Sequence, residues 1–291
     1  MRLALNALTD ELRRLKASGV ERVSVSSEAI EALRASFRQP PPAPPANPEA
    51  AAIAPPSSVK EARTASVAAA LPVVVLPKGD KAVKWAALLQ TVLADPVCVS
   101  KLRPGKKAVL GVGSLEAAIM FIGEAPGAEE EIQGEPFVGP AGQLLTRMIA
   151  GMGLSRAEVY IGNIMNWRPD LPPGPDGVQT GNRPPTELEM AHCLPYLHAQ
   201  IEIVNPRLLV ALGASAAKAL LGARSFSALG EVRGRWHDFG GRPLMVTYHP
   251  SYILRNPTNR SKRLIWEDLL KVMERAGLPV SEKQRNFFLT T

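Results

Sequence analysis

Short apolar runs alternate with helix-periodic segments along most of the chain, and this alternation limits the chain to a small number of folds. Strands are predicted at four apolar runs, residues 117–122, 159–164, 208–212 and 244–248. Helices are predicted at residues 85–93, 142–152, 186–204, 214–221 and 259–276. Strands separated by helices form a mostly parallel sheet that is covered on both faces. The sequence therefore predicts an α/β protein, a three-layer α/β/α sandwich around a mostly parallel central sheet.

The first 82 residues differ in composition from the rest of the chain. Residues 1–36 combine helical leucine spacing with a short strand-like segment, so we expect a small N-terminal appendage that acts as a tether or docks an unidentified partner. Residues 37–82 are rich in proline and alanine, which predicts a weakly ordered linker. The main domain is expected at residues 83–279, followed by a C-terminal tail at residues 280–291.

Charge and cysteine content restrict the partner and the compartment. The formal net charge is +7, with acid-free basic clusters at residues 101–107 and 255–263 that suit phosphate. A basic protein tends to bind a polyanion, most often nucleic acid, although the same charge can serve solubility alone. The chain has two cysteines, too few for a disulfide framework, and it has no apolar run long enough to span a membrane. We expect a cytoplasmic protein that binds no membrane, and we expect it to be a monomer.

An acidic, glycine-rich turn follows the first predicted strand. Gly123 and Gly127 flank Glu124 and Ala125, and glycine lets the backbone approach a ligand closely. Further along, Phe137 lies between turn residues just before a predicted helix. There its ring could stack on a flat heterocycle. The alternative is that Phe137 fills the core, as an isolated phenylalanine usually does.

Two polar residues follow other predicted strands. Asn163 ends the second strand, and His249 comes directly after the fourth. An asparagine offers a donor and an acceptor that match an imide edge, and a neutral imidazole can donate to an oxygen that gains negative charge. The alternatives are a turn-capping asparagine and a structural histidine. Because loops at the carboxyl ends of parallel strands line one crevice, we expect His249 and Glu124 to face the same cavity.

Together these segments resemble the uracil-DNA glycosylase superfamily, and its family 4 branch in particular, over roughly residues 95–276. The matching segments are residues 123–127 (GEAPG), 134–142 (GEPFVGPAG), 159–163 (VYIGN), 181–186 (GNRPPT), 210–213 (VALG) and 249–255 (HPSYILR). Each motif alone is weak, whereas all of them in this order form a strong signal. The resemblance implies a DNA repair enzyme that flips uracil out of single- or double-stranded DNA and hydrolyses its N-glycosidic bond, leaving an abasic site.

The resemblance also implies roles for individual residues of the uracil pocket. Phe137 would stack on the base, and Asn163 would read the uracil edge and reject cytosine. Gly123 and Asn182 would complete the uracil-binding pocket. His249 would donate a hydrogen bond to the uracil oxygen as negative charge builds on it.

Further roles concern the sugar, the water and the DNA. Glu124 and the backbone of Ala125 would line the pocket near the sugar, and Glu130 matches a second acidic position that would help to place water. Ala125 stands where the best-known branch has a water-activating aspartate, so catalysis is expected to depend on electrostatics and positioning. The segment after His249 would bind DNA through Pro250, Ser251, Tyr252, Ile253 and Arg255, with Ile253 in a minor-groove wedge and Arg255 on phosphate.

Family 4 enzymes usually hold a [4Fe–4S] cluster through four cysteines, and this chain departs from that pattern. Only Cys98 and Cys193 occupy the ligand positions of the family, while Asp95 and Trp167 stand at the other two. Two thiolates cannot hold a four-iron cluster in the usual way, and tryptophan is not a ligand. We therefore predict that the protein has no cluster and no other metal, and that Trp167 packs into the vacated space.

Two other classes of function stay open at this point. One is a non-catalytic or partner-directed DNA-binding module that kept the glycosylase fold, which the loss of Glu124, Asn163 or His249 would have favoured. The other is a nucleotide-binding α/β protein unrelated to DNA. Residues 123–127 lack the glycine pattern that cradles phosphates, which argues against the second alternative.

Overall fold

The computed structural model of the protein describes residues 71–174 and 179–289. Its strands are β1 (Val112–Gly113), β2 (Ile119–Gly123), β3 (Tyr160–Asn163), β4 (Leu208–Leu212), β5 (Trp236–Phe239) and β6 (Arg242–Thr247). The longer helices are α1 (Lys81–Ala94), α4 (Pro140–Gly151), α5 (Glu187–Val204), α6 (Ala214–Leu221) and α9 (Asn259–Ala276). The shorter ones are α2 (Pro96–Lys101), α3 (Ala128–Gln133), α7 (Leu229–Val232), α8 (Ser251–Arg255) and α10 (Glu282–Arg285).

The six strands form one sheet in the order β1-β3-β2-β4-β6-β5. The four central strands are parallel, and the two edge strands, β1 and β5, pair antiparallel to their neighbours. This arrangement confirms the predicted α/β fold with a mostly parallel sheet. The four central strands are the four that the sequence predicted.

Each face of the sheet has its own apolar core, because successive side chains of a strand point to opposite faces. In β2, Ile119 and Phe121 pack with residues of α4 and α9, whereas Met120 and Ile122 pack with residues of α5 and α6. Helices therefore cover both faces. The helix predicted at residues 186–204 begins where expected, since the Thr186 hydroxyl accepts a hydrogen bond from the backbone N–H of Glu189.

Both ends of the main domain pack against its cores. Val74 and Leu76, which lie before α1, contact the apolar cluster beneath α1 and α5. At the other end, the indole N–H of Trp266 donates to the Gln284 carbonyl at 2.6 Å, and the Phe287 ring lies 5.2 Å from the Trp266 ring. The segment that we predicted as a C-terminal tail is thus folded against α9 as far as Phe288. The predicted appendage and the linker up to residue 70 lie outside the described residues.

The parallel strands bring their carboxyl ends to one edge of the sheet. Gly123 at the end of β2 lies in register with Asn163 at the end of β3, and β4 and β6 end at Leu212 and Thr247 beside them. Every loop that the sequence singled out leaves from this edge. Among the helices of the described residues, none combines the length and apolarity that crossing a membrane requires.

Candidate active site

A cavity of about 690 Å³ lies at the carboxyl edge of the sheet. Most of the predicted site residues line it, namely Glu124, Ala125, Glu130, Phe137, Asn163, Asn182, His249, Ser251, Tyr252 and Arg255. The acidic turn and the histidine turn therefore face the same space, as expected from the strand ends. Gly123, Pro250 and Ile253 are not part of the lining.

The side chains of Asn163 and Phe137 lie next to each other at Gly123. A Cβ atom at this position would lie 2.4 Å from both Asn163 Oδ1 and Phe137 Cζ, which no real side chain tolerates. The absence of a side chain on Gly123 thus allows Asn163 and the Phe137 ring to approach each other. Phe137 itself has a φ of 56°, a left-handed conformation that an aromatic residue rarely adopts and that costs about 1–3 kcal/mol. The loop is held in a strained shape that places the ring at the cavity wall.

The Asn163 amide is the most informative group of the cavity. The residue is 5% exposed, and its Oδ1 atom is buried without a hydrogen-bond partner among the described residues. An unpaired buried carbonyl oxygen costs about 1–3 kcal/mol, and such groups are rare in native structures. This oxygen is an acceptor that a ligand N–H group beside the Phe137 ring could satisfy.

His249 presents a neutral imidazole to the same cavity. Its Nδ1 atom accepts the backbone N–H of Ser251 at 3.2 Å, so the ring proton is carried by Nε2, which can donate to a ligand. Burial, together with the positive charge of Arg255, lowers the pKa of His249 from 6.5 to about 4. The Phe137 ring centroid lies 5.5 Å from the imidazole centroid. The cavity therefore combines a stacking surface, an amide and an uncharged donor within one small volume.

The loop that carries His249 is anchored to a buried carboxylate. The Thr247 hydroxyl and the Arg233 guanidinium both donate to Asp268 Oδ2 at 2.7 Å, and Asp268 is 1% exposed. Burial raises the pKa of Asp268 above its ordinary value, against the opposing effect of these two donors. Arg233 in turn lies 5.2 Å from the ring centroid of Tyr248, the residue just before His249. These contacts fix the end of β6, from which the histidine turn begins.

Two acidic residues of the first loop have different environments. Glu124 is half-buried and accepts a hydrogen bond from the Ser215 hydroxyl at the start of α6. Glu130 instead accepts the backbone N–H groups of Gly127, Val138 and Gly139 at 2.9–3.0 Å. Both Glu130 oxygens are thus occupied in joining the acidic turn to the loop of Phe137. Glu130 therefore joins the two loops, and it also lines the cavity.

A buried arginine holds the loop of Asn182. Arg168 is 5% exposed and donates to Asn182 Oδ1 at 2.8 Å, to the Gly181 carbonyl at 2.7 Å and to Glu131 Oε1 at 3.0 Å. Arg103 binds the other oxygen of Glu131. Arg103, which belongs to the basic cluster at residues 101–107, is therefore engaged inside the protein rather than free to bind phosphate.

The structure corrects the prediction for the wedge residue. Ile253 is 6% exposed and belongs to the core that packs against α4 and α9, so its side chain does not project into solvent. Leu254, the next residue, is 45% exposed. Residues 251–255 form a helix, in which neighbouring side chains point about 100° apart, and only one of the two can face the core. Leu254 is the apolar side chain that this helix presents outward.

The residues at the expected cluster position do not fit a four-iron cluster. Cys98, Trp167 and Cys193 are each at most 1% exposed and share one apolar cluster. Burial raises the pKa of both thiols, that of Cys98 to about 12, which disfavours thiolates. The Asp95 carboxylate accepts hydrogen bonds from the Val97 and Cys98 backbone and lies 2.7 Å from His192 Nε2. Within residues 71–174 and 179–289, no group of three or more histidine, cysteine, aspartate or glutamate side chains could hold a metal ion.

Two features of the cavity were not predicted from the sequence. Ser215, which donates to Glu124, follows the predicted strand β4 by three residues, and its place at a carboxyl strand end was the signal that could have identified it. The contacts of Arg168 and Asp268 join residues 13 to 37 positions apart along the chain. No local pattern marks such contacts.

Fold and cavity together define a class, an α/β protein with a cavity at the carboxyl ends of its parallel strands that is lined by an aromatic ring, a buried amide and a neutral imidazole. Comparison with known proteins agrees with that class. The family model of the uracil DNA glycosylase superfamily matches residues 110–270. The Type-4 uracil-DNA glycosylase of Thermotoga maritima is 43% identical over 164 residues, which cover 56% of this chain and 80% of that protein. The Type-4 uracil-DNA glycosylase of Pyrobaculum aerophilum is 42% identical over 165 residues, covering 54% of this chain and 78% of that protein.

A more distant relative is the Type-5 uracil-DNA glycosylase of Pyrobaculum aerophilum, which is 30% identical over 180 residues, 57% of this chain and 73% of that protein. The identity is thus higher to the two Type-4 proteins than to this Type-5 protein. The chain belongs to the uracil-DNA glycosylase superfamily.

Proposed function

We propose that the protein is a uracil-DNA glycosylase that flips uracil out of DNA and hydrolyses its N-glycosidic bond, leaving an abasic site and so starting base-excision repair. The observation that carries the proposal is the buried, unpaired Oδ1 atom of Asn163 beside the Phe137 ring. Uracil offers an N3–H group to that oxygen and a flat face to the ring. Cytosine lacks this N–H, so the same amide would reject it.

The chemistry separates charge, and the cavity has a group for each developing charge. As the bond breaks, the uracil ring gains negative charge and the sugar becomes oxocarbenium-like. The neutral imidazole of His249 donates from Nε2 to the uracil oxygen, and one such donor is typically worth about 3–4 kcal/mol. The carboxylate of Glu124, which lines the same cavity, stabilises the cationic sugar, with its orientation set by Ser215.

The attacking water needs little activation in this mechanism. Ala125 carries no acid, and both oxygens of Glu130 accept backbone hydrogen bonds. An oxocarbenium-like centre is electrophilic enough to react with water that is positioned rather than deprotonated. Glu130 contributes by fixing the loop that carries Phe137.

The DNA-binding face is formed by α8, the helix after His249. Leu254 is the exposed apolar side chain at the position where a wedge would enter the stack, and it takes the role that we first assigned to Ile253. Arg255 donates to the Ser251 hydroxyl at 3.1 Å and lines the cavity, where it can bind a phosphate next to the flipped nucleotide. Tyr252, which lines the cavity, completes this face, whereas Pro250 is buried and is not available to DNA.

The test uses an oligonucleotide with one uracil. The purified protein is incubated with this DNA, treated with alkali and analysed for strand scission, with a thymine-containing oligonucleotide as the negative control. His249→Ala is expected to slow uracil release by about two to three orders of magnitude. His198→Ala removes an exposed histidine of α5 outside the cavity and serves as the matched control. Equal rates for the two variants would show that His249 takes no part in catalysis. Absence of strand scission by the wild-type protein would refute the proposed activity.

A further inference from the structure

A second groove, of about 460 Å³, lies between α4, α8, α9 and the C-terminal segment. Its floor is apolar and includes Ile253, Trp266 and Phe287. Its rim carries two exposed apolar side chains, Leu254 at 45% and Phe288 at 39% exposure. An exposed apolar surface of this kind usually marks a binding site.

The charges around the groove are all of one sign. Arg147 and Lys262 line it, and among the described residues that form its wall there is no aspartate or glutamate. The Lys262 ammonium lies 5.8 Å from the centroid of the Phe288 ring. An exposed aromatic ring next to cations, without acids, is the combination by which proteins bind single-stranded nucleic acid, since the ring stacks on a base and the cation pairs with a phosphate. A charged peptide partner would have to be acidic to fit the same wall.

The position of the groove connects it with the uracil cavity. Helix α8 separates the two, because Ser251, Tyr252 and Arg255 line the cavity while Ile253 and Leu254 line the groove. Because the two sites lie on different faces of α8, the width of a helix with its side chains separates them, about 10–12 Å. This width corresponds to roughly three nucleotide steps of about 3.4 Å along a DNA strand. DNA that delivers uracil to the cavity therefore passes close to the groove.

We propose that this groove binds one nucleobase of the DNA within about three nucleotides of the flipped uracil, with the base on Phe288 and a phosphate at Lys262 and Arg147. The inference rests on the proposed function, because it takes its occupant from the DNA substrate. It adds a second base site on the far side of α8, beyond the wedge.

The test compares Phe288→Ala with Leu289→Ala. Leu289 is also exposed, at 51%, and belongs to the same segment, but it does not line the groove. Binding is measured by fluorescence anisotropy with an oligonucleotide that contains a non-hydrolysable 2′-fluoro-deoxyuridine. Loss of one base stack is expected to weaken binding about five- to 150-fold for Phe288→Ala. The Leu289→Ala variant is expected to bind within twofold of the wild type.

A second measurement identifies the base. Oligonucleotides are prepared in which one nucleotide at a time, on either side of the uracil, is replaced by an abasic linker. At one position, the abasic linker should weaken binding of the wild type and leave binding of Phe288→Ala unchanged, because this variant has already lost the contact between the base and the Phe288 ring. Lys262→Gln should reduce the salt dependence of binding by about one phosphate contact.

The outcomes separate this inference from the proposed function. Equal DNA affinity of Phe288→Ala and Leu289→Ala would overturn the second base site even if the wild type releases uracil, and it would leave an acidic apolar peptide as the better occupant. Failure of the wild type to release uracil would refute the glycosylase activity. In that case the difference in DNA affinity between the two variants would still show whether the groove binds a nucleobase.

Discussion

Replacing Asn163 by aspartate changes the side-chain NH₂ group, a donor, into an oxygen acceptor, while the size of the side chain stays almost the same. In the proposed complex the amide donates from Nδ2 to uracil O4 and accepts from uracil N3–H at Oδ1. The buried Oδ1 atom lacks a hydrogen-bond partner among the described residues, so it is available to accept a hydrogen bond from the ligand. An ionised carboxylate introduced by Asn163→Asp would instead face O4 with a second acceptor.

The cost follows from the burial of the position. The lost hydrogen bond is worth about 0.5–1.5 kcal/mol, and leaving two acceptors face to face in a buried site adds about 1–3 kcal/mol. A total of about 2–4 kcal/mol lowers kcat/KM for uracil by roughly thirtyfold to several hundredfold. Cytosine has an amino group in place of O4 and gains a partner in the carboxylate. The ratio of uracil to cytosine release should therefore fall by at least the same factor at about pH 8.

Burial adds a pH signature to this prediction. Asn163 is 5% exposed, and a carboxylate at that depth should have a pKa above its ordinary value. A protonated carboxyl group again offers one donor and one acceptor, as the amide does. Uracil release by the Asn163→Asp variant should therefore recover as the pH is lowered, which is the opposite of what a damaged active site would show.

The assay is single-turnover release from matched oligonucleotides that contain uracil or cytosine, between about pH 5 and pH 8. Asn205→Asp is the matched control, because Asn205 is exposed, caps α5 away from the cavity and keeps its contact with Arg242 as an acceptor. An unchanged uracil/cytosine ratio in Asn163→Asp would show that this side chain does not read the base. A uniform loss at every pH would show a damaged fold instead.

Three further perturbations test the geometry around this residue. Gly123→Ala places a methyl group 2.4 Å from Phe137 Cζ, and a displaced ring should reduce kcat/KM by up to about a hundredfold while far-UV circular dichroism stays native. Thr247→Val deletes a buried hydrogen bond to Asp268 and should lower the free energy of unfolding in urea by about 1.5–3 kcal/mol, whereas Thr247→Ser, which keeps the hydroxyl, should lose no more than about 1 kcal/mol. The low pKa of His249 predicts a rate that is flat from about pH 7 to about 5 and falls as the pH approaches 4. His249 should also lower the free energy of unfolding as the pH falls from about 6.5 to about 4. In this range the unfolded chain takes up a proton that the folded chain excludes until about pH 4. A rate that halves between about pH 7 and about pH 6 would contradict the neutral imidazole.

The sequence was sufficient for the central sheet because the four parallel strands are continuous apolar runs. The edge strands were missed for physical reasons. Strand β1 has two residues, too few for a pattern, and the four residues of β5 are at most half-buried and lack an apolar run. Edge strands contact one neighbour instead of two, so their sequences are less constrained.

The candidate site was predictable to the extent that it depends on strand ends. Glu124, Asn163 and His249 each lie at or just after the end of a strand, and parallel topology then brings them together. The exposed side of a one-turn helix was not predictable, since choosing between Ile253 and Leu254 requires knowledge of which face meets α4 and α9. Tertiary contacts decide that choice.

The position where the family holds its cluster shows how a noncovalent contact can join the same elements. Asp95 lies between α1 and α2, and His192 lies on α5, so their 2.7 Å contact connects the segments to which Cys98 and Cys193 belong. Burial opposes ionisation of Asp95, but the hydrogen bonds from His192 and the backbone outweigh it and hold the pKa of Asp95 below its ordinary value. The stability from this carboxylate is thus present above the unfolded pKa of about 3.8 and lost as the pH falls below it. Acid, rather than a chelator or an oxidant, is therefore what should loosen this junction.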